Sequence, residues 1–170
     1  MKFNFFFICL FFLVSCQQRT TKDQQILSAE NDVIEVYNFD QLQTYLSNKS
    51  DKVYVVNFWA TWCKPCIQEL PFFEAVQAAH ADKVKVILVS LDFPDKLESQ
   101  LKPFIKENKL KSQVVLLDDP YENEWIPRID SSWTGAIPAT LIFNGSKRRF
   151  YERSFTEEEL ENELLKFTKI

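Results

Sequence analysis

Glycine is almost missing from this chain. Gly135 and Gly145 are the two in 170 residues. Loops that cradle phosphates need closely spaced glycines so that the backbone can approach the anion, and this sequence has no such loop. Histidine is scarcer still. His80 stands alone, which leaves little material for a histidine-based metal site or a Ser-His-Asp triad. Positive charge is not in excess: the net charge is −4, so no nucleic-acid partner is indicated. No internal repeat is visible. The length suits one domain with a tail rather than two domains. Cysteine is present but not as a framework. Cys9 and Cys16 lie in an apolar N-terminal segment, and Cys63 and Cys66 form a C-x-x-C pair elsewhere, so a disulfide scaffold is not expected. What the chain has in quantity is aromatic residues, 15% of the total with sixteen phenylalanines, several of them at the extreme N-terminus.

That N-terminus reads as an address. Met1-Lys2 supplies a positive start, and Phe3 to Val14 is apolar apart from Asn4. The run is too short to span a bilayer as a mature helix, so residues 1–15 are read as a signal peptide. The ending Leu13-Val14-Ser15-Cys16 resembles a bacterial lipobox. That resemblance implies cleavage before Cys16 and a lipid on it; an ordinary secretory peptide or an uncleaved anchor are the alternatives. Residues 16–31, polar with few large apolar side chains, are read as a flexible tether, and residues 32–170 as the folded domain. The domain would then work outside the cytoplasm, in a bacterial cell envelope, where disulfides persist. A reactive dithiol there needs a dedicated donor or acts as an oxidant.

Along the domain, Val33–Tyr37 alternates as a short strand, and Asn38 is placed to cap a helix carrying Phe39, Leu42, Tyr45 and Leu46. Ser47–Ser50 reads as a turn. Val53–Trp59 is nearly all apolar and β-favouring, which fits a strand buried on both faces. Ile67–His80 has helical spacing, with Pro71 expected to kink it. Val84–Leu91 and Gln113–Leu117 read as further strands, Lys96–Asn108 as a helix whose firmer half begins near Pro103, and Asp118–Ser132 as a loop containing Trp125 and Pro127. Ala139–Phe143 is a strand, Asn144-Gly145 a hairpin signal, and Lys147–Arg153 its partner. Thr156-x-x-Glu159 is a capping box opening a terminal helix through Leu160, Leu164 and Phe167. The order argues for an α/β fold with a mixed central sheet.

The chemistry-bearing stretch is Trp59-Ala60-Thr61-Trp62-Cys63-Lys64-Pro65-Cys66, at a strand-to-helix junction. A zinc site would need a second pair of ligands, which the mature chain does not offer. A structural disulfide closing so short a loop adds little stability. A redox pair is favoured by its surroundings. The thiolate is the attacking species, and a helix N-terminus stabilises it through unpaired N–H groups and partial positive charge. Cys63 is therefore expected to be the exposed nucleophile, and Cys66, one turn later and more buried, the resolving thiol. Pro65 suits a first helical turn.

This stretch, with Pro71 five residues after Cys66 and Gly135-Ala136-Ile137-Pro138-Ala139-Thr140 downstream, resembles the thioredoxin superfamily over about residues 33–168. The resemblance implies a thioredoxin-like fold with helices on both faces of the sheet and a redox disulfide between Cys63 and Cys66. It also implies a cis-proline loop in which Pro138 packs on the dithiol and the backbone of Ile137 pairs with the substrate chain. Together with the lipobox, Glu69 and the added segment around Leu97–Asp119, the sequence is most similar to membrane-tethered TlpA/ResA-type disulfide reductases. In that group the residue at the position of Glu69 tunes the proton affinity of the dithiol. Asn57 departs from thioredoxin itself, which has a buried Asp there; Glu69 is the replacement acceptor. The resemblance further implies protein disulfides as substrates, apo-cytochrome c among them, and a membrane protein as electron donor. A monomer is expected, and no metal or cofactor.

Blander readings stand beside these. Glu69 also reads as a solvated helix residue, Trp59 equally as core, and His80 as solvated. Trp62 is expected to be exposed beside Cys63 and to shape a substrate-docking face. Trp125 and Trp133 are expected to pack, with Trp133 a candidate for a substrate groove. An oxidase or isomerase running the chemistry in reverse, and a non-catalytic binding module, remain as alternatives. A peroxidase is not favoured, because the Thr61-Trp62-Cys63 spacing is not Thr-x-x-Cys.

Overall fold

Asn38 opens the first helix by accepting from the Gln41 amide, while the Gln41 side chain accepts from the Asn38 amide, a reciprocal cap that satisfies two orphan donors. The computed structural model describes residues 33–47 and 51–168. The readings of residues 1–15, 16–31 and Cys16 lie outside the described residues, as do positions 48–50 of the expected turn. The elements are β1 (Glu35–Tyr37), α1 (Phe39–Leu46), β2 (Val53–Trp59), α2 (Lys64–Ala79), β3 (Val84–Ser90), α3 (Lys102–Asn108), β4 (Gln113–Leu117), α4 (Glu122–Ile129), β5 (Ala139–Phe143), β6 (Arg148–Tyr151) and α5 (Glu157–Leu164).

The six strands form one sheet in the order β1-β4-β3-β2-β5-β6. The first four are parallel; β5 is antiparallel to β2, and β6, antiparallel to β5, runs with the first four. Strands β2 and β3, in the middle, are buried on both faces, which is why their sequences are near-continuous apolar runs rather than alternating ones. Alternation along β2 divides the interior in two. Val55 and Trp59 join the core under α2, α3 and α5, with Leu70, Phe73, Leu160 and Leu164. Val56 and Phe58 join the core under α1 and α4, with Phe39, Leu42, Trp125 and Trp133. Asn57 falls on the α2 side. The expected α/β architecture with helices on both faces is the one observed.

Two readings are corrected. Residues expected as a loop, 118–132, contain α4. The N-cap residue Tyr121, just before it, offers no side-chain cap and Pro127 lies inside it, so neither local signal marks it. Tertiary contacts hold it instead: Trp125 and Ile129 are buried, Trp125 Nε1 donates to the Asp119 carbonyl at 3.2 Å, and the Arg128 guanidinium lies 4.4 Å from the Phe39 ring centre. The expected helix over 96–108 is three pieces, a 3-10 turn (Pro94–Lys96), a π-helical turn (Leu97–Leu101) and α3. Pro103 has no N–H to continue one ladder through the segment. At the β5–β6 connection, the Asn144 side-chain oxygen accepts from the Ser146 and Lys147 amides. This is an Asx-type turn, with Gly145 at negative φ rather than in a primed two-residue turn.

Candidate active site

Strand β2 ends at Trp59, and the chain turns through residues 60–63, closed by the Cys63 amide donating to the Ala60 carbonyl at 3.1 Å. Cys63 is the N-cap of α2: its backbone is extended, and its Sγ accepts from the Cys66 amide at 3.3 Å. A serine or aspartate commonly does this with oxygen; here sulfur takes the position, at the positive end of a 16-residue helix. Pro65 lies in the first turn, where it forfeits no hydrogen bond, and the helix continues through Pro71. Cys63 and Cys66 are disulfide-bonded with their Cα atoms 5.3 Å apart.

The sequence reading has Cys63 exposed. It is only 6% exposed, and Cys66 not at all. The order of the two thiols is as expected, but Cys63 shows solvent little more than an edge, because the Ile137–Pro138 loop closes over it. The Ile137–Pro138 bond is cis, and the Ile137 carbonyl oxygen lies 3.8 Å from Cys63 Sγ. Pro138 is buried and Ile137 partly exposed. Trp62, in the turn directly before Cys63, is 58% exposed.

Behind the disulfide lies a buried polar cluster. Glu69, one turn along α2 from Cys66, is 1% exposed and not a solvated helix residue. Its Oε1 accepts from Asn57 Nδ2 at 2.9 Å and its Oε2 from the Phe155 amide at 2.7 Å. Asn57 Nδ2 also donates to Thr140 Oγ1 at 3.1 Å, the residue beside it in the β2–β5 register. Burial pushes the Glu69 carboxyl up to about 7, against the opposing pull of those two hydrogen bonds and the charge of Arg153. Asn57 Oδ1 is buried without a hydrogen-bond partner among the described residues. Rotation of the amide would bring that oxygen toward Glu69, so Asn57 can meet either protonation state, as donor to the carboxylate or acceptor from the carboxylic acid.

A second buried carboxylate was invisible in the sequence. Asp92, just past β3, accepts from Ser90 Oγ at 2.8 Å, from the Thr61 amide at 3.1 Å and from Thr61 Oγ1 at 2.5 Å; Gln100 Nε2 donates to the same Thr61 hydroxyl at 2.8 Å. Thr61 is two residues ahead of Cys63, so Asp92 holds the turn that delivers the disulfide to the helix end. The Ser-x-Asp ending of a buried strand was the available signal, read as a plain turn. Asp92→Ala leaves the Thr61 amide and hydroxyl short of an acceptor and is expected to cost about 3 kcal/mol, lowering the thermal midpoint by roughly 10 °C; calorimetry of the oxidised protein checks this.

Other singled-out residues are placed elsewhere. Trp59 is fully buried with its ring 5.4 Å from Phe104. Trp133 is packed between Phe58 and Phe150 with Nε1 on the Ala136 carbonyl, so it lines no groove. His80 is not merely solvated: its Nε2 lies 3.1 Å from a Glu161 carboxylate oxygen, tying the end of α2 to α5.

A mixed sheet with a C-x-x-C at the head of a helix and a cis-proline loop against it defines a thioredoxin-like protein. The solved structure of StoA from Bacillus subtilis superposes with a TM-score of 0.52 at 27% identity, covering 69% of this chain and 84% of that one. The chain belongs to the AhpC/TSA family, whose model matches residues 29–147. Among individual proteins it is 39% identical to the Bacillus subtilis sporulation thiol-disulfide oxidoreductase A over 42% of this chain. It is 31% identical to the thiol-disulfide oxidoreductase ResA of Oceanobacillus iheyensis over 74% of this chain. The matches span 43% and 62% of those relatives' lengths, under two thirds in both.

Proposed function

We propose that this protein is a thiol–disulfide oxidoreductase that reduces protein disulfides outside the cytoplasm. The observation that carries the reading is the Cys63–Cys66 disulfide at the N-terminus of α2, closed over by the Ile137–Pro138 loop and backed by buried Glu69. In the reduced protein the Cys63 thiolate, held by the Cys66 amide and the helix end, attacks one sulfur of a target disulfide. The target's other sulfur leaves as a thiolate and takes a proton. Cys66 then gives its proton to Glu69 and attacks Cys63 Sγ, re-forming the internal disulfide and releasing the target as a dithiol. Two electrons pass to the target, and the protein must be re-reduced by an external dithiol, for which a membrane protein is the proposed donor. The backbone of Ile137 receives the substrate chain and exposed Trp62 borders the docking face.

The N-terminal sequence, with its lipobox-like Leu13-Val14-Ser15-Cys16, supports the location in this reading: cleavage before Cys16, a lipid on Cys16, and a domain facing the periplasm on a tether. The names of the relatives support the chemistry, and resemblance to the TlpA/ResA group supports apo-cytochrome c as a target. Among the described residues no helix is long and apolar enough to cross a membrane. The direction of electron flow is tested by the reduction potential of the Cys63–Cys66 couple, equilibrated against glutathione or dithiothreitol. A value near −270 mV, on the order of thioredoxin's, is expected; one near −120 mV, about that of a strong oxidant, would mean that the pair oxidises its targets.

A further inference from the structure

The loop that closes over Cys63 is held from outside by a side chain with no part in the chemistry above. Glu152 lies just beyond β6. Its carboxylate accepts from the Thr134 amide at 3.1 Å, from the Ala136 amide at 2.9 Å and from the Thr134 hydroxyl. Partial desolvation pushes the Glu152 carboxyl upward, but these hydrogen bonds together outweigh it and hold the group below the usual glutamate value. From within the loop, Trp133 Nε1 donates to the Ala136 carbonyl at 2.8 Å. Gly135, at φ +96, makes the bend between the two amides that Glu152 grips; an added Cβ there would meet Ile126 Cδ1 at 3.2 Å. The hydrogen bonds from Glu152 and Trp133 stop short of Ile137, the next residue, whose carbonyl oxygen lies 3.8 Å from Cys63 Sγ.

We propose that Glu152 is a positioning residue for substrate docking: by fixing Thr134 and Ala136 it leaves the Ile137 backbone free and correctly placed to pair with an extended polypeptide beside Cys63. The assignment rests on the oxidoreductase reading and deepens it. A carboxylate suits the task. Both of its oxygens accept, so one side chain satisfies two amides and a hydroxyl across a bend, and charge-assisted bonds of this kind are about twice as strong as neutral ones. The grip also explains why an acidic residue stands at the end of a strand whose other outward positions are basic, Arg148 and Arg149.

The role separates from a merely structural one by substrate size. Insulin must lay a backbone against Ile137; 5,5′-dithiobis(2-nitrobenzoate) has none. With dithiothreitol as donor, Glu152→Ala is expected to raise KM for insulin roughly fivefold, with kcat changed by less than about twofold, the scale of one or two lost hydrogen bonds at a docking loop. The rate at which the reduced protein consumes the aromatic disulfide should stay the same. Glu152→Gln, which keeps one acceptor oxygen, should fall between. Hydrogen exchange should quicken at the Thr134 and Ala136 amides in Glu152→Ala and not in α2. Parallel loss toward both substrates, or an unchanged insulin KM, overturns the assignment while leaving the oxidoreductase reading in place. A wild-type protein that consumes neither disulfide overturns both.

Discussion

A Cys66→Ser protein accumulates mixed disulfides with its targets, and a Cys63→Ser protein forms none and turns over nothing. The asymmetry is built into one helical turn. Cys63 Sγ receives the Cys66 amide and sits at the helix N-terminus with an edge still open to solvent, whereas Cys66 is fully enclosed. The first thiol has both what stabilises a thiolate and a path to another protein; the second has a path to the first alone. Serine at 63 keeps the cap, because its hydroxyl oxygen can accept the same amide, so this variant should fold. Losing the disulfide costs the oxidised state at most about 2 kcal/mol by loop entropy for so short a ring. Comparison with reduced wild type removes that difference. Non-reducing electrophoresis and mass spectrometry of Cys66→Ser, expressed with its own signal segment, read the outcome. Adducts carried by Cys66 in the Cys63→Ser protein would reverse the assignment of the two thiols.

Much of this site was legible because its chemistry is local. The strand-turn-helix junction, the cap position of Cys63, the first-turn place of Pro65 and the step of three from Cys66 to Glu69 all follow from backbone periodicity over a dozen residues. The Ile137–Pro138 loop became legible only through resemblance, since nothing within that loop says what it packs on. Asp92 and Glu152 stayed hidden for a different reason. Each acts on an amide far away in sequence, 31 residues back in one case and 16 or 18 in the other, and an acidic residue after a strand looks the same whether it grips a loop or water. Helix α4 was missed on similar grounds: its stability comes from Trp125 and Arg128 meeting α1, not from a cap. Exposure was misjudged where a distant loop supplied the cover, as at Cys63.

The pH dependence of the oxidised protein should carry the signature of Glu69, and Glu69→Gln should erase it. Burial raises this carboxyl from 4.5 to about 7 in the fold, while in the unfolded chain it titrates near its ordinary value. Between those two values the native state binds the extra proton, so the contribution of Glu69 to stability is fully present below about 4.5 and is lost as pH rises through about 7. The shift corresponds to about 3 kcal/mol at full expression. Denaturant unfolding of the oxidised wild type at pH 5 and pH 8 should therefore show a loss of that order, after subtraction of the same difference measured in Glu69→Gln. The variant keeps an acceptor for the Phe155 amide, and its amide N–H group can be met by the unpartnered Asn57 Oδ1 after that side chain rotates, so it should be at least as stable as wild type at pH 8. Its chemistry should suffer in the opposite sense. Without a group that takes the Cys66 proton, resolution of the mixed disulfide should slow about 100-fold, the low end for a lost general base, and the inflection near pH 7 in the rate should disappear. A variant that is both less stable at pH 8 and unaltered in its pH–rate profile would make Glu69 a structural acceptor for Asn57 and Phe155, and the proton from Cys66 would have to leave by way of solvent.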